Sequence, residues 1–298
     1  MMLPAELERA WGDSERQWLD GLPATVDAVA AQWGLTLGEP YALSYHWVTR
    51  ATDPAGTPVV LKLGPPGPGH LRQEAAALRA FDGRGAVRLL AEDATRGALL
   101  TERAEPGTRL RDLVTAGRDE EATRILIGIA NDVHRAPTGD GLLPDVATLA
   151  DAFGRYVREF ADRGPLPLRL VERADAVFSE LCGSAPRRVV LHGDLHHDNV
   201  LRAGDGWRAI DPHGYVGDPG YDVGAILYNP EPTVRDDVLL AAVPRRVEQL
   251  ADGLGLPLDR VRAWGFAVSM LSAVWDTEDC AEPGPPGRAL DVARLLLG

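Results

Sequence analysis

Residues 192–199 read His-Gly-Asp-Leu-His-His-Asp-Asn, and Asp211-Pro212 follows at a short remove. An aspartate at the start of a tight loop, Asp194, can orient an acceptor hydroxyl and take its proton. The amide oxygen of Asn199 is a hard ligand suited to Mg²⁺, and Asp211 adds an anionic one. Burying so many polar groups is costly unless each has a partner, so a loop of this kind on a rigid scaffold is where chemistry is expected. Short apolar runs at Val189-Val190-Leu191 and Val200-Leu201 read as strands on either side of it. Trp207 to Ile210 would complete a hairpin that ends on Asp211.

Of 31 basic residues, 30 are arginine and one is lysine, Lys62. In so Arg-biased a chain, a lone lysine marks a place that needs a compact ammonium on a flexible stem. Lys62 falls in the strand-like run Pro58–Leu63, and Glu74 lies on the helix predicted over 70–81. Lys62 can reach phosphates and Glu74 can hold it by an ion pair. Together with H-x-D-x-x-x-x-N and the later aspartate, these are the parts of a phosphoryl-transfer site.

The elements that must position these groups divide into two lobes. Residues 1–105 form an N-terminal lobe of helix and antiparallel sheet that includes the Glu74 helix. Residues 106–298 form a helical lobe that carries the loop and an acceptor site. A helix is expected over 4–33, with Leu7, Trp11, Trp18, Val26 and Val29 on its apolar face and a break near Gly21-Leu22-Pro23. Strands are expected over 41–48, 58–63, 86–90 and 98–102. Asp53-Pro-Ala-Gly56 turns a hairpin, and Gly64–Gly69 is loop. Thr108 is read as the N-cap of a short helix. Helices then fit 119–135, 148–162, 167–182, 220–228, 233–252, 258–279 and 287–297. The fold class is α+β.

A net charge of −13 argues against nucleic acid or an anionic membrane as partner and permits a cationic small molecule. Two cysteines exclude a disulfide framework and a Cys-based zinc site. With no signal-like N-terminus and no long apolar run, a cytoplasmic protein is expected. A monomer is expected as well.

The motif His192-Gly-Asp-x-x-x-x-Asn199, with Ile210-Asp211-Pro212 and Gly217-Asp-Pro-Gly-Tyr-Asp222, resembles the aminoglycoside phosphotransferases. Within them it is similar to the streptomycin 6-phosphotransferase, or aminoglycoside/hydroxyurea kinase, branch. Gly83–Leu90 and Trp207-x-x-Ile210-Asp211-Pro212 share in the likeness. The resemblance implies a two-lobe protein-kinase-like fold and transfer of the γ-phosphate of ATP, with Mg²⁺, to a hydroxyl of an aminoglycoside. It implies Asp194 as the catalytic aspartate and Asn199 and Asp211 as metal ligands. Lys62 would contact the α/β-phosphates with Glu74 orienting it, and Glu102 to Ala104 would meet the adenine edge. His192 and Asp222 would support the loop. Trp275-Asp276-Thr277-Glu278-Asp279 closes a late helix with three carboxylates, which the macrodipole disfavours. The resemblance offers these residues a use as a clamp for the cationic groups of the acceptor.

Asp211-Pro-His stands where protein kinases have D-F-G, no A-P-E element follows, and no G-x-G-x-x-G precedes Lys62. A protein substrate is therefore not expected, and Ser44-Tyr45-His46-Trp47 must cover the phosphates some other way. Four of seven histidines, at 192, 196, 197 and 213, also admit a metallophosphoesterase. That reading leaves Lys62 and Glu74 idle. The same residues are compatible with a sugar or amino-sugar kinase on this fold and with a non-catalytic nucleotide-binding module.

Overall fold

The computed structural model describes residues 15–41, 46–67, 69–138, 141–230, 237–278 and 287–297. Leu7, Trp11, Ser44, Tyr45 and Asp279 lie outside them. Helix α1 (Arg16–Trp33) runs unbroken through Pro23, so the predicted break does not occur. Proline inside a helix removes a donor, but Leu19, Leu22, Val26 and Val29 are all buried and pin the helix to the sheet.

The sheet comprises β1 (Thr36–Pro40), β2 (Trp47–Thr52), β3 (Pro58–Leu63), β4 (Leu89–Asp93) and β5 (Ala98–Glu102), antiparallel in the order β1-β2-β3-β5-β4. The strand predicted over 41–48 is corrected: β1 ends at Pro40 and β2 begins at Trp47. Gly38-Glu39-Pro40 hides β1 from a propensity reading, yet it is an exposed edge strand, where proline is tolerated. The strand predicted over 86–90 lies three residues later, at 89–93. Asp53 Oδ1 closes the β2–β3 turn by accepting from Ala55 N at 2.9 Å and Thr57 N at 2.8 Å. Central strand β3 places Lys62 opposite Val48 on one side and Leu99 on the other. Helix α2 (His70–Phe81) then turns Glu74, Ala75, Leu78 and Phe81 inward.

The remainder is mainly helical: α3 (Arg111–Thr115), α4 (Asp119–Val133), α5 (Asp151–Phe160), α6 (Leu168–Gly183), α7 (Val223–Tyr228), α8 (Asp237–Leu254), α9 (Leu258–Glu278) and α10 (Arg288–Leu297). Thr108 is not a helix cap. It lies in β6 (Pro106–Arg109), which pairs with the hairpin β8 (Val200–Ala203) and β9 (Gly206–Ala209), and that pairing outweighs its capping tendency. Strands β7 (Val189–Leu191) and β10 (Tyr215–Gly217) pair beneath the polar loop. Helix α9 is buried nearly all round from Val261 to Val274, as expected of a central helix. It packs on α6, α7 and α10. Among the described residues no helix is long and apolar enough to cross a membrane.

Candidate active site

Residues 192–199 form the loop between β7 and β8, as their composition predicts. Gly193 takes a left-handed φ of 84°, and a Cβ there would meet the Tyr215 ring at 2.9 Å and His213 Cβ at 3.1 Å. Only glycine fits that turn without strain. From outside the loop, Asp222 accepts His192 N at 3.0 Å and Gly193 N at 2.8 Å. Asp222 is itself buried and meets His134 Nε2 at 2.8 Å. Burial opposes its ionisation, but His134, His192 and the Gly193 N–H prevail and hold its carboxyl below the usual range.

The His192 ring has its tautomer set by its neighbours. Nε2 faces the Ile210 carbonyl at 3.0 Å and must donate, so Nδ1 is the acceptor for Asp194 N at 3.3 Å. Burial lowers its pKa, though Asp222 and Asp194 oppose the shift. His192 thus ties the loop to the strand end that carries Asp211.

Asn199 Nδ2 donates to both Asp194 O and Asp194 Oδ2, each at 2.9 Å. Because the carbonyl can only accept, the amide orientation is settled and Oδ1 is the atom left for a ligand. The Oδ2 side of Asp194 also faces His196 Nε2 at 3.4 Å and His213 Nε2 at 3.9 Å. Burial raises the Asp194 pKa, but the imidazoles of His196, His213 and His192 outweigh it and hold the carboxyl well below its usual range. Among the described residues no hydrogen bond reaches its Oδ1.

Lys62 Nζ lies 2.7 Å from Glu74 Oε2 and 3.0 Å from Asp211 Oδ1. The sheet, α2 and the hairpin end therefore converge on one ammonium. Burial disfavours the charged lysine, but Asp211 and Glu74 together hold it charged. Burial raises Glu74, to about 7, with Lys62 opposing and Asp211 reinforcing the rise. Two carboxylates sharing one ammonium leave the more buried one reluctant to ionise. Asp211 has a φ of 57°, the left-handed region that a non-glycine residue enters at a cost. Among the described residues no three carboxylate, imidazole or thiol groups converge as a metal cage. Asn199 Oδ1 and the half-exposed Asp211 carboxylate are two hard oxygens. That donor set fits Mg²⁺, which keeps waters and binds through one or two protein carboxylates plus phosphates.

The other predicted site residues are more scattered. Glu102 closes β5, and its N–H donates to Arg88 O at 3.0 Å, with Arg103 and Ala104 following at the crossing. At the end of α9, Trp275 packs partly against the core and Asp276 is exposed. Glu278 is gripped by Arg155 of α5 through Nε at 3.1 Å and Nη2 at 3.2 Å. Glu278 is thus not a bare anionic group.

His134 was not singled out by motif or spacing. It ends α4, 88 residues before Asp222, and only the fold joins them. Asp198 pairs with Arg111 Nη1 at 3.1 Å and ties the loop to α3.

Residues 39–280 match the family model described as aminoglycoside/hydroxyurea antibiotic resistance kinase. A streptomycin 6-kinase of Streptomyces glaucescens is 33% identical over 99% of this chain and 96% of its own length. A hydroxyurea phosphotransferase of Kitasatospora aureofaciens is 35% identical over 99% of this chain and 86% of its own length. Among solved structures, a choline/ethanolamine kinase family protein from Mesorhizobium loti superposes with a TM-score of 0.64 at 18% identity, covering 94% of this chain and 92% of that one. The fold is accordingly the two-lobe protein-kinase-like one that the loop motif implied.

Proposed function

We propose that this chain, which belongs to the aminoglycoside/hydroxyurea antibiotic resistance kinase family and is a phosphotransferase acting on a hydroxyl group, uses MgATP to phosphorylate a cationic aminoglycoside of the streptomycin type. The observation that carries the nucleotide reading is the convergence of Glu74, Lys62 and Asp211 within 3.0 Å contacts, beside an Asp194 braced by Asn199. A sugar kinase on the same fold is not favoured, given relatives named for antibiotic acceptors.

In this reading Lys62, steadied by Glu74, contacts the α- and β-phosphates. The Glu102 carbonyl and the Ala104 N–H meet the adenine edge. Asn199 Oδ1 and Asp211 would hold Mg²⁺, which would neutralise charge on the phosphates. Asp194 Oδ2 is committed to Asn199, so Oδ1 accepts the acceptor hydroxyl and orients it. The hydroxyl proton passes to Asp194 as the new O–P bond forms and the bond from the γ-phosphorus to the bridging oxygen breaks, releasing ADP. The protein contributes positioning and charge, with little covalent work.

The acceptor is sought at the end of α9, where Asp276 and Glu278, beside Trp275, offer carboxylates to guanidinium or ammonium groups, with Asp279 next in sequence. The test is ATP-dependent phosphorylation across streptomycin, other aminoglycosides, amino sugars and hydroxyurea, with the product read by mass spectrometry. Phosphorylated streptomycin at the highest kcat/KM is the expected result. Preference for an amino sugar, or ATP binding with no acceptor turnover, overturns the assignment.

A further inference from the structure

Three imidazoles stand around the Lys62–Asp211 pair: His46, His70 and His213. His46 lies just before β2 with its ring laid on Gly64, two residues past Lys62. A Cβ at Gly64 would come within 2.6 Å of His46 Cδ2 and 3.2 Å of its Nε2. Glycine there makes room for the ring. His70 opens α2, and its ring centroid lies 5.5 Å from that of His213, two residues past Asp211. This contact joins the helix of Glu74 to the segment that leaves Asp211.

Among the described residues no hydrogen bond holds the ring of His46 or His70. Burial, with Lys62 adding to it, lowers His46 to about 3, though Asp211 opposes. Partial desolvation, with His213 and Lys62 adding to it, also lowers His70. Both rings are therefore neutral, and each carries one N–H donor. The chain has no G-x-G-x-x-G ahead of Lys62, so the phosphates are not met by a glycine-rich loop of that pattern. One ammonium, Lys62, already shared by two carboxylates, is a thin set of donors for a triphosphate.

We propose that His46, His70 and His213 form an imidazole rim that donates to the terminal phosphates of the nucleotide, a task a glycine-rich loop performs with its backbone. Two of its members come from the sheet side of the cleft and one from the loop side, so the rim spans the cleft over Lys62 and Asp211. At His46 and His70 the donors are neutral, which suits the place. They add hydrogen bonds to an anion without adding cations to a site that already holds a buried ammonium. The inference rests on the MgATP reading above and names which side chains recognise the phosphates.

The experiment compares MgATP with adenosine, which keeps the base and ribose but has no phosphates, by titration calorimetry on the wild type and on His46→Ala, His70→Ala, His213→Ala and their triple combination. His70 is exposed and His213 half-exposed, so their replacement tests recognition with little risk to folding. Each single change is expected to weaken MgATP about tenfold, the worth of one hydrogen bond to a charged group. Adenosine affinity is expected to stay at the wild-type value. Equal weakening of MgATP and adenosine would mean that the rings only shape the cleft, and would overturn the proposal. So would undiminished MgATP affinity in the triple variant of an enzyme whose wild type binds and turns over ATP. A wild type that bound MgATP no better than adenosine would instead overturn the nucleotide reading on which the rim depends.

Discussion

Around Asp194 the polar groups are held from several directions, whereas around Glu278 one arginine does the holding at the surface. Asp194 and its loop are tied to Asn199, His192, Asp222 and, through Asp222, to His134 on α4. Glu278 has Arg155, itself half exposed. The first arrangement is costly to build and rigid once made, because each buried donor or acceptor lost from it leaves another unpaired. The second can exchange partners at little cost. A centre that must present one oxygen to any acceptor hydroxyl suits the first. A surface that must receive a cationic ligand of particular shape suits the second.

The largest effect should come from Asp194→Ala. It removes the group proposed to take the hydroxyl proton while leaving Lys62, Glu74 and Asp211 in place. Turnover is expected to fall about a thousandfold or more, within the range for loss of general acid–base catalysis, with MgATP affinity largely kept. Steady-state kinetics beside calorimetry checks it, and a variant within tenfold of wild type would remove Asp194 from the mechanism.

Next comes the brace. Asp222→Ala strips the acceptor from His192 N and Gly193 N and leaves His134 buried without its partner. Leaving those buried donors without the carboxylate costs about 1–3 kcal/mol for each group left unpaired, to be read from chemical denaturation together with a loss of kcat. Acidification should reveal the same linkage. The Asp222 pKa is lowered from its ordinary 3.8 in the folded chain. Its contribution is therefore present above pH 3.8 and is lost as pH falls through the lower folded value. A stability curve of Asp222→Asn parallel to wild type in that acid window would contradict this.

A smaller, pH-dependent effect belongs to Glu74. With its pKa near 7, protonation on the acid side releases its hold on Lys62, so kcat/KM for ATP should decline as pH drops below about 7. Asp194, held well below the usual carboxylate range, stays ionised there and is not the source of the limb. Glu74→Gln should lower kcat/KM at pH 8 about tenfold, the worth of one charged hydrogen bond, and abolish the acid limb. Persistence of the limb in that variant would assign it elsewhere.

The contrast between the two regions also governs what could be read from residue order. Asp194, Asn199 and Asp211 lie within one local loop–hairpin unit, and Lys62 and Glu74 follow one another on a strand and the next helix. Local spacing therefore carried them. His134 and Arg111 act across 88 and 87 residues and leave no periodic trace. The edge strand β1 was missed because Gly-Glu-Pro has little strand propensity and is held by pairing with β2. Thr108 was misread because a good cap residue is equally at home in a strand once a partner strand is present. Glu278 at the end of α9 was legible as a charge, but not as a partner, since Arg155 comes from a helix more than a hundred residues earlier.

The smallest effect is the one that tests the surface half of the contrast. If Glu278 takes part in receiving a cationic acceptor, the Arg155 guanidinium occupies the carboxylate that the ligand would use. Arg155→Ala should then lower the KM for the acceptor, while Glu278→Gln should raise it. Each change should be a few-fold, because an exposed ion pair is worth only about 0.2–1 kcal/mol. Neither should alter the KM for ATP, since neither residue touches the Lys62–Asp211 side of the cleft. Opposite signs in the two variants are the diagnostic. If both raise the acceptor KM alike, the pair acts as a unit that props α5 against α9, and the ligand is received elsewhere.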